Sequence, residues 1–189
     1  MTTSLSIPTL HGERITLRPF TLDDAPAVYA HLASPEIAST TANIDYPYPQ
    51  GAAEGWIASH QAEAEAGTAL TWAVTLADDA QIGAIGLHLA PQHARGEIGY
   101  WLGVPYWNKG YTTEAAKLVT AYGFDTLNLH RIQATCLPRN VGSSRVMEKA
   151  GLTFEGVLRG YNQRDGDFED IAMYANVADA SPACPKKTP

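Results

Sequence analysis

Glu97-Ile-Gly-Tyr-Trp-Leu-Gly-Val-Pro-Tyr-Trp-Asn-Lys-Gly-Tyr-Thr-Thr-Glu-Ala-Ala-Lys-Leu-Val-Thr-Ala-Tyr-Gly-Phe124 reads as a strand, a short polar turn and a helix. Ile98, Tyr100, Leu102 and Val104 alternate as a half-buried strand does, Pro105 removes a ladder donor, and Asn108-Lys109-Gly110 is a turn cluster. In the helix that follows, Thr112 and Thr113 are candidate N-caps and Glu114 suits the positive end of the helix dipole. Ala115, Leu118, Val119 and Tyr122 form one apolar stripe. The free N–H groups of such a helix start, beside a glycine and a lysine, make an anion site suited to a phosphate or pyrophosphate. The spacing matches neither the Gly-x-x-x-x-Gly-Lys-Ser/Thr loop of nucleotide hydrolases nor the three-glycine dinucleotide fingerprint.

Trp107-Asn108-Lys109-Gly110-Tyr111-Thr112 resembles the pyrophosphate-binding loop of the GNAT superfamily of acetyl-CoA-dependent N-acetyltransferases, Gln/Arg-x-x-Gly-x-Gly/Ala. Gly110 sits at the first glycine, Trp107 replaces Gln/Arg and Thr112 replaces the second small residue. The longer run Tyr-Trp-x-Lys-Gly-Tyr-x-Thr-Glu-Ala is similar to the ribosomal-protein (RimJ/RimL-like) branch. A second segment, Asn140-Val-Gly-Ser-Ser-Arg-Val-Met-Glu-Lys-Ala-Gly151, resembles the family's Asn-x-x-Ser…Glu-Lys-x-Gly-Phe signature, with Leu152 for Phe. Two matches in the expected order are more specific than either alone.

The resemblance covers about Leu10 to Ala175 and implies an α+β GNAT (acyl-CoA N-acyltransferase) fold. In it a mixed, mostly antiparallel central sheet is flanked by helices, and the strands around Glu97–Val104 and Arg131–Leu137 splay into a V-shaped cofactor cleft. It implies acetyl-CoA as cofactor, held by Leu102, Gly103, Val104, Trp107, Asn108, Lys109, Gly110, Tyr111, Thr112, Thr113, Asn140 and Ser143. It also implies direct transfer to a primary amine without an acyl-enzyme. The RimJ/RimL likeness points to the N-terminal α-amine of a protein. A small amine or antibiotic as acceptor, and a non-catalytic acyl-CoA-binding module, are the alternatives.

The chain's 189 residues are most simply one domain, able to bury roughly 70% of the unfolded surface. The expected division is an extension over residues 1–9, the domain over 10–178 and a disordered tail over 179–189. A hydrophobic share of 45% and a charged share of 17% are those of a globular protein, and no run of about 18 apolar residues suits a bilayer. A start without a signal-peptide pattern and only two cysteines, Cys136 and Cys184, place the chain in the cytoplasm as an expectation. The net charge of −7 argues against direct nucleic acid binding and mildly favours cationic acceptors. Monomer and homodimer are both open. The six histidines show no metal spacing, so no metal site is expected, and His88 or His93 is a candidate substrate contact.

Along the chain, the residues predict a strand at Arg14–Pro19, a helix at Leu22–Leu32 capped by Thr21, and an ordered loop at Asn43–Pro49. A helix from about Ala52 to Ala66 and a hairpin of Leu70–Leu76 with Gln81–Leu89 follow, the strand of Glu97 extending the same sheet. Arg131–Leu137 is a strand, Ser143–Ala150 a helix, and Phe154–Leu158 with Phe168–Tyr174 the last strands. This succession is itself α+β.

Acetylation of an amine needs a proton acceptor, and Glu97 is the candidate base on the strand that leads to the turn. By resemblance Asn140 bonds the pantetheine arm and Ser143 protonates or binds the departing thiolate. As plain helix chemistry, Asn140 would end a turn and Ser143 cap the helix. The branch's second base position is occupied by Asn162, which cannot take a proton, leaving Glu97, Glu155 or a water chain. Asp170 matches an acid common near the branch's last hairpin. Backbone N–H groups of Leu102–Val104, freed by a bulge at Gly103, are the expected oxyanion donors. Cys136 reads as core, and Tyr46, Tyr48, Trp56, Trp101 and Trp107 as packing or an acceptor pocket.

Overall fold

A computed structural model describes residues 4–41, 44–164 and 166–178. The expected tail at 179–189 lies outside them. Strands β1 (Leu10–His11) and β2 (Thr16–Pro19) are followed by helices α1 (Ala25–Leu32), α2 (Pro35–Thr40) and α3 (Ala52–Glu65). Next come β3 (Ala69–Thr75), β4 (Gln81–Ala90), β5 (Arg95–Leu102), α4 (Tyr111–Asp125), β6 (Arg131–Cys136), α5 (Val141–Lys149), β7 (Thr153–Arg164) and β8 (Asp167–Val177). The strands form one sheet in the order β1-β2-β3-β4-β5-β6-β8-β7, antiparallel except for β5 against β6. No described helix is long and apolar enough to cross a membrane.

Helices cover both faces of the sheet. Ile98 and Leu102 of β5 join a core with Ala115, Ala116 and Val119 of α4, whereas Trp101 points the other way into a second core with Val28, Leu32, Ala53 and Ile57 of α1 and α3. That double cover explains why β3 is buried at every residue, although its sequence reads as a half-exposed alternation. The first helix is anchored by Arg18, whose guanidinium grips both oxygens of buried Asp24 at 2.8 Å while Asp24 accepts the Thr21 N–H at 2.9 Å. Burial pushes the Asp24 carboxyl up, but Arg18 and the Thr21 amide outweigh it and hold it below the ordinary carboxylate range.

Three local expectations are corrected. Val104 is not in the strand but in a 3₁₀ turn, because Pro105 cannot donate and the chain folds back. The cap of α4 is Gly110, at φ +84°, rather than Thr112 or Thr113, which lie inside the first turn; only glycine reaches that left-handed backbone without strain. Helix α5 starts at Val141, and its cap is Asn140, whose Oδ1 accepts the Ser143 N–H at 3.0 Å; Ser143 is therefore not the cap. Helix α2 and strand β1, short and without a clear period, were not expected.

Candidate active site

Parallel pairing of β5 with β6 runs from Arg95↔Arg131 to Ile98↔Ala134 and stops there. Thr135 and Cys136 continue only against β8, and Gly99 to Leu102 only against β4, so the sheet opens into a wedge at its centre. In the antiparallel β4–β5 ladder, Gly103 N–H donates to Ile82 C=O at 2.8 Å. By alternation, Tyr100 and Leu102 then direct their N–H groups away from β4, into the wedge. The oxyanion donors expected at Gly103 are thus corrected. Gly103 makes no bulge and its amide is spent, and its missing side chain instead admits the His31 ring, which a Cβ would meet at 2.5 Å. The Leu102 carbonyl on the same side is tied off by the Trp107 indole N–H at 2.6 Å.

The wedge widens into a cavity of about 1240 Å³ that reaches both faces of the sheet. On the α4 and α5 side, Asn108 at φ +61° and Gly110 turn the chain so that the N–H groups of Tyr111, Thr112 and Thr113 precede the first helical bond, Glu114 N–H to Gly110 C=O at 3.1 Å. Trp107, Asn108, Gly110, Thr112 and Thr113 line the cavity, as do Leu102, Asn140 and Ser143. Gly103, Val104, Lys109 and Tyr111 do not. Lys109 lies over the Tyr106 ring, and Tyr111 carries the Arg14 guanidinium at 5.1 Å. Arg14 braces the turn from behind, donating to Lys109 C=O at 2.8 Å and pairing with Glu114 at 2.9 Å.

Cations of α5 and the loop before it face the same half. Arg139, Arg145 and Lys149 line the cavity, and Arg145 and Lys149 have no ion-pair partner among the described residues. Their i, i+4 spacing is legible in the sequence, but the direction of that face is not. Tyr100, read only as strand core, proves to be a site residue. Its hydroxyl lies 2.7 Å from Ser143 Oγ and donates to Ser143 C=O at 3.2 Å. Loss of water around the phenol pushes its pKa far above the ordinary tyrosine value, so it stays protonated.

Across the sheet lies the other half. Glu97 is held by Gln133 Nε2 at 2.9 Å and Thr135 Oγ1 at 3.3 Å, at the mouth of the wedge. His88 is its cross-strand partner, and Glu63, Tyr48, Trp56 and Trp101 line the same space. His93 does not. Asn162 reaches the cavity from β7 with an amide that takes no proton. Glu155 is excluded as a base: it forms a bidentate pair with Arg131, which holds its carboxyl below the ordinary range, and it lies off the cavity. Asp170 is structural, accepting Gly160 N–H at 2.8 Å. Cys136 is buried and uncrosslinked. No group of three or more metal-ligating side chains occurs among the described residues.

A central sheet split between two parallel strands, with an amide-rich helix start on one side and a carboxylate on the other, defines an acyl-transfer enzyme of the acetyltransferase class. The chain matches the Acetyltransferase (GNAT) domain over residues 14–153 and belongs to that family. It is 32% identical over 169 residues to the uncharacterized N-acetyltransferase p20 of Bacillus licheniformis, covering 88% of this chain and 94% of that one. An acetyltransferase (GNAT family) from Bacillus anthracis superposes with a TM-score of 0.81 at 27% identity, over 90% and 98% of the two chains. RimJ of Mycobacterium smegmatis, solved with CoA-disulfide, gives 0.81 at 25%, over 91% and 88%.

Proposed function

We propose that this chain transfers the acetyl group of acetyl-CoA directly to a primary amine, and that the acceptor is the N-terminal α-amine of a protein. The observation that carries the reading is electrical. One cavity runs from the cationic face of Arg145 and Lys149 and the open amides of α4 to the carboxylates of Glu97 and Glu63. A phosphorylated donor suits the first end and an ammonium the second. The donor set fits CoA: Thr112, Thr113 and Gly110 would hold its diphosphate, and Asn140 its pantetheine arm. Bound there, acetyl-CoA supplies an activated thioester.

The chain's own residues do the rest. Glu97 accepts the ammonium proton, so that the nitrogen attacks as a neutral nucleophile. The N–H groups of Tyr100 and Leu102, fixed by the β4 ladder and the Trp107 tie, face the oxygen on which negative charge develops. Ser143, hydrogen-bonded to Tyr100, delivers a proton to the sulfur as the carbon–sulfur bond breaks, and the second proton shed by the attacking nitrogen restores it, so that the thiol and a neutral amide leave while Glu97 releases the first proton to solvent. The likeness of part of the chain to the ribosomal protein uS5-alanine N-acetyltransferase of Escherichia coli, 31% identical over 78 residues, supports a protein as acceptor.

Thiol release from acetyl-CoA with a panel of N-terminal peptides, small amines and aminoglycosides tests the proposal. Turnover on peptides above the other arms is the expected result. CoA binding with no turnover on any acceptor would mark the chain as an acyl-CoA-binding module instead.

A further inference from the structure

The acceptor end of the cavity has a floor without side chains. On the face beneath α3, successive cross-strand pairs of β4 and β5 are Ala84↔Trp101, Gly86↔Gly99 and His88↔Glu97. All six residues line the cavity. Gly99 is exposed although it sits in the fifth of eight strands, and a Cβ there would meet no atom within 4 Å. A Cβ at Gly86 would first meet Thr71 Oγ1, at 3.4 Å. Neither glycine has a positive φ, so neither is required by its backbone. Glycine inside a strand weakens it and leaves nothing to pack, so two facing each other mark a place where another molecule approaches the sheet.

The walls of this gap say what approaches. Trp101 stands on one side, and Trp56 of α3 leans over it with ring centroids 6.4 Å apart. Tyr48 and Leu32 complete the apolar rim, while Glu97 and Glu63 bring two carboxylates to the opposite side. Glu63 is steadied by the Ser59 hydroxyl at 3.0 Å. Flat apolar walls beside an anionic corner complement a cation attached to a flat apolar body.

We propose that the Gly86–Gly99 floor is a specificity slot. It receives an aromatic or similarly flat apolar group carried one to three bonds from the reacting amine, with the ammonium at Glu97 and Glu63. The proposal rests on the transferase reading and narrows it: small first residues such as serine or alanine would leave the slot unfilled. The flat group belongs either to a small arylalkylamine or to the first side chain of a peptide.

The test compares 2-phenylethylamine with ethylamine, and Phe-Gly-Gly with Ser-Gly-Gly, on the wild type, Gly99→Ala and Gly99→Leu. The wild type should favour the aromatic member of at least one pair by about 30-fold in kcat/KM. Gly99→Leu should raise the KM of that acceptor about tenfold and leave the KM for acetyl-CoA within about twofold, Gly99→Ala falling between. The preferred pair identifies the source of the group. Calorimetric binding of the same acceptors to the CoA complex supplies a readout that needs no turnover, and the Ala variant supplies the result should the Leu variant fold poorly. Equal kcat/KM within both pairs, or acceptor binding unchanged in the Gly99 variants, overturns the slot while the transferase reading stands. Slot binding that is lost in the variants, with no turnover on any amine, supports the slot and overturns the transferase reading.

Discussion

The two halves of the cavity are built in opposite ways. The donor half comes from three nearby stretches of chain, the end of β5, the turn into α4 and the loop into α5, and most of its groups are backbone amides or caps. The acceptor half draws Leu32, Ile37, Tyr48, Trp56, Glu63, Gly86, His88 and Glu97 from five different elements and a loop, and there side chains, or their absence at a glycine, decide the shape. Backbone groups at a helix start recognise phosphate whatever lies around them. A pocket walled by side chains exists only once the elements have packed. The donor half should therefore be generic and brittle to backbone change, and the acceptor half particular and open to redesign.

Placing a carboxylate in the generic half should have the largest effect. Gly110→Asp sets a negative charge among the amides meant for diphosphate and should weaken CoA binding by at least about 100-fold, measured by calorimetry. Aspartate tolerates the left-handed backbone better than most residues, so the fold should survive. Unchanged CoA affinity would refute the assignment of the turn.

Glu97→Gln should act across the divide, lowering kcat about 100-fold with CoA affinity unchanged. The loss should be greatest at lower pH and shrink as alkali neutralises the amine without help. A rate profile identical to the wild type would remove Glu97 as the base. Ser143→Ala should cost about tenfold in kcat and little CoA affinity, the scale of one hydrogen bond. A purely thermal loss would leave Ser143 with a packing role.

The smallest effect concerns stability alone. His60 is buried between Trp56 and Phe20, neither ring nitrogen has a partner among the described residues, and burial holds its pKa below the ordinary histidine value. The unfolded chain takes up that proton near pH 6.5 while the folded one resists it. Stability is therefore complete above about pH 6.5 and declines as the pH falls toward the lower folded value, by roughly 2–4 °C in melting temperature for each kcal/mol lost. His60→Leu should flatten that part of the pH–melting curve, and an unaltered slope would assign the acid sensitivity elsewhere.

Much of the donor half was legible because its residues act through local geometry. Gly110 carries its role in its backbone freedom and Asn140 in a side chain that accepts a helix N–H, even though the caps fell two or three residues from where side-chain propensity put them. Tyr100 was not legible as a partner of Ser143, since a period of two only says that it shares a face with Ile98 and Leu102. The sequence favours Glu97 as the base but leaves Glu155 open beside it, and only the pairing with Arg131 removes Glu155.

The sequence by itself determined the α+β class, the strand-turn-helix corner with its exposed amides, and the family those imply, since short-range periodicity and glycine placement act within a few residues. Only the tertiary structure decided where β5 and β6 part, which carboxylate faces the opening, and that Gly86 and Gly99 lie opposite one another. Those facts depend on strand register and on helices packed from distant parts of the chain, and no local pattern encodes them.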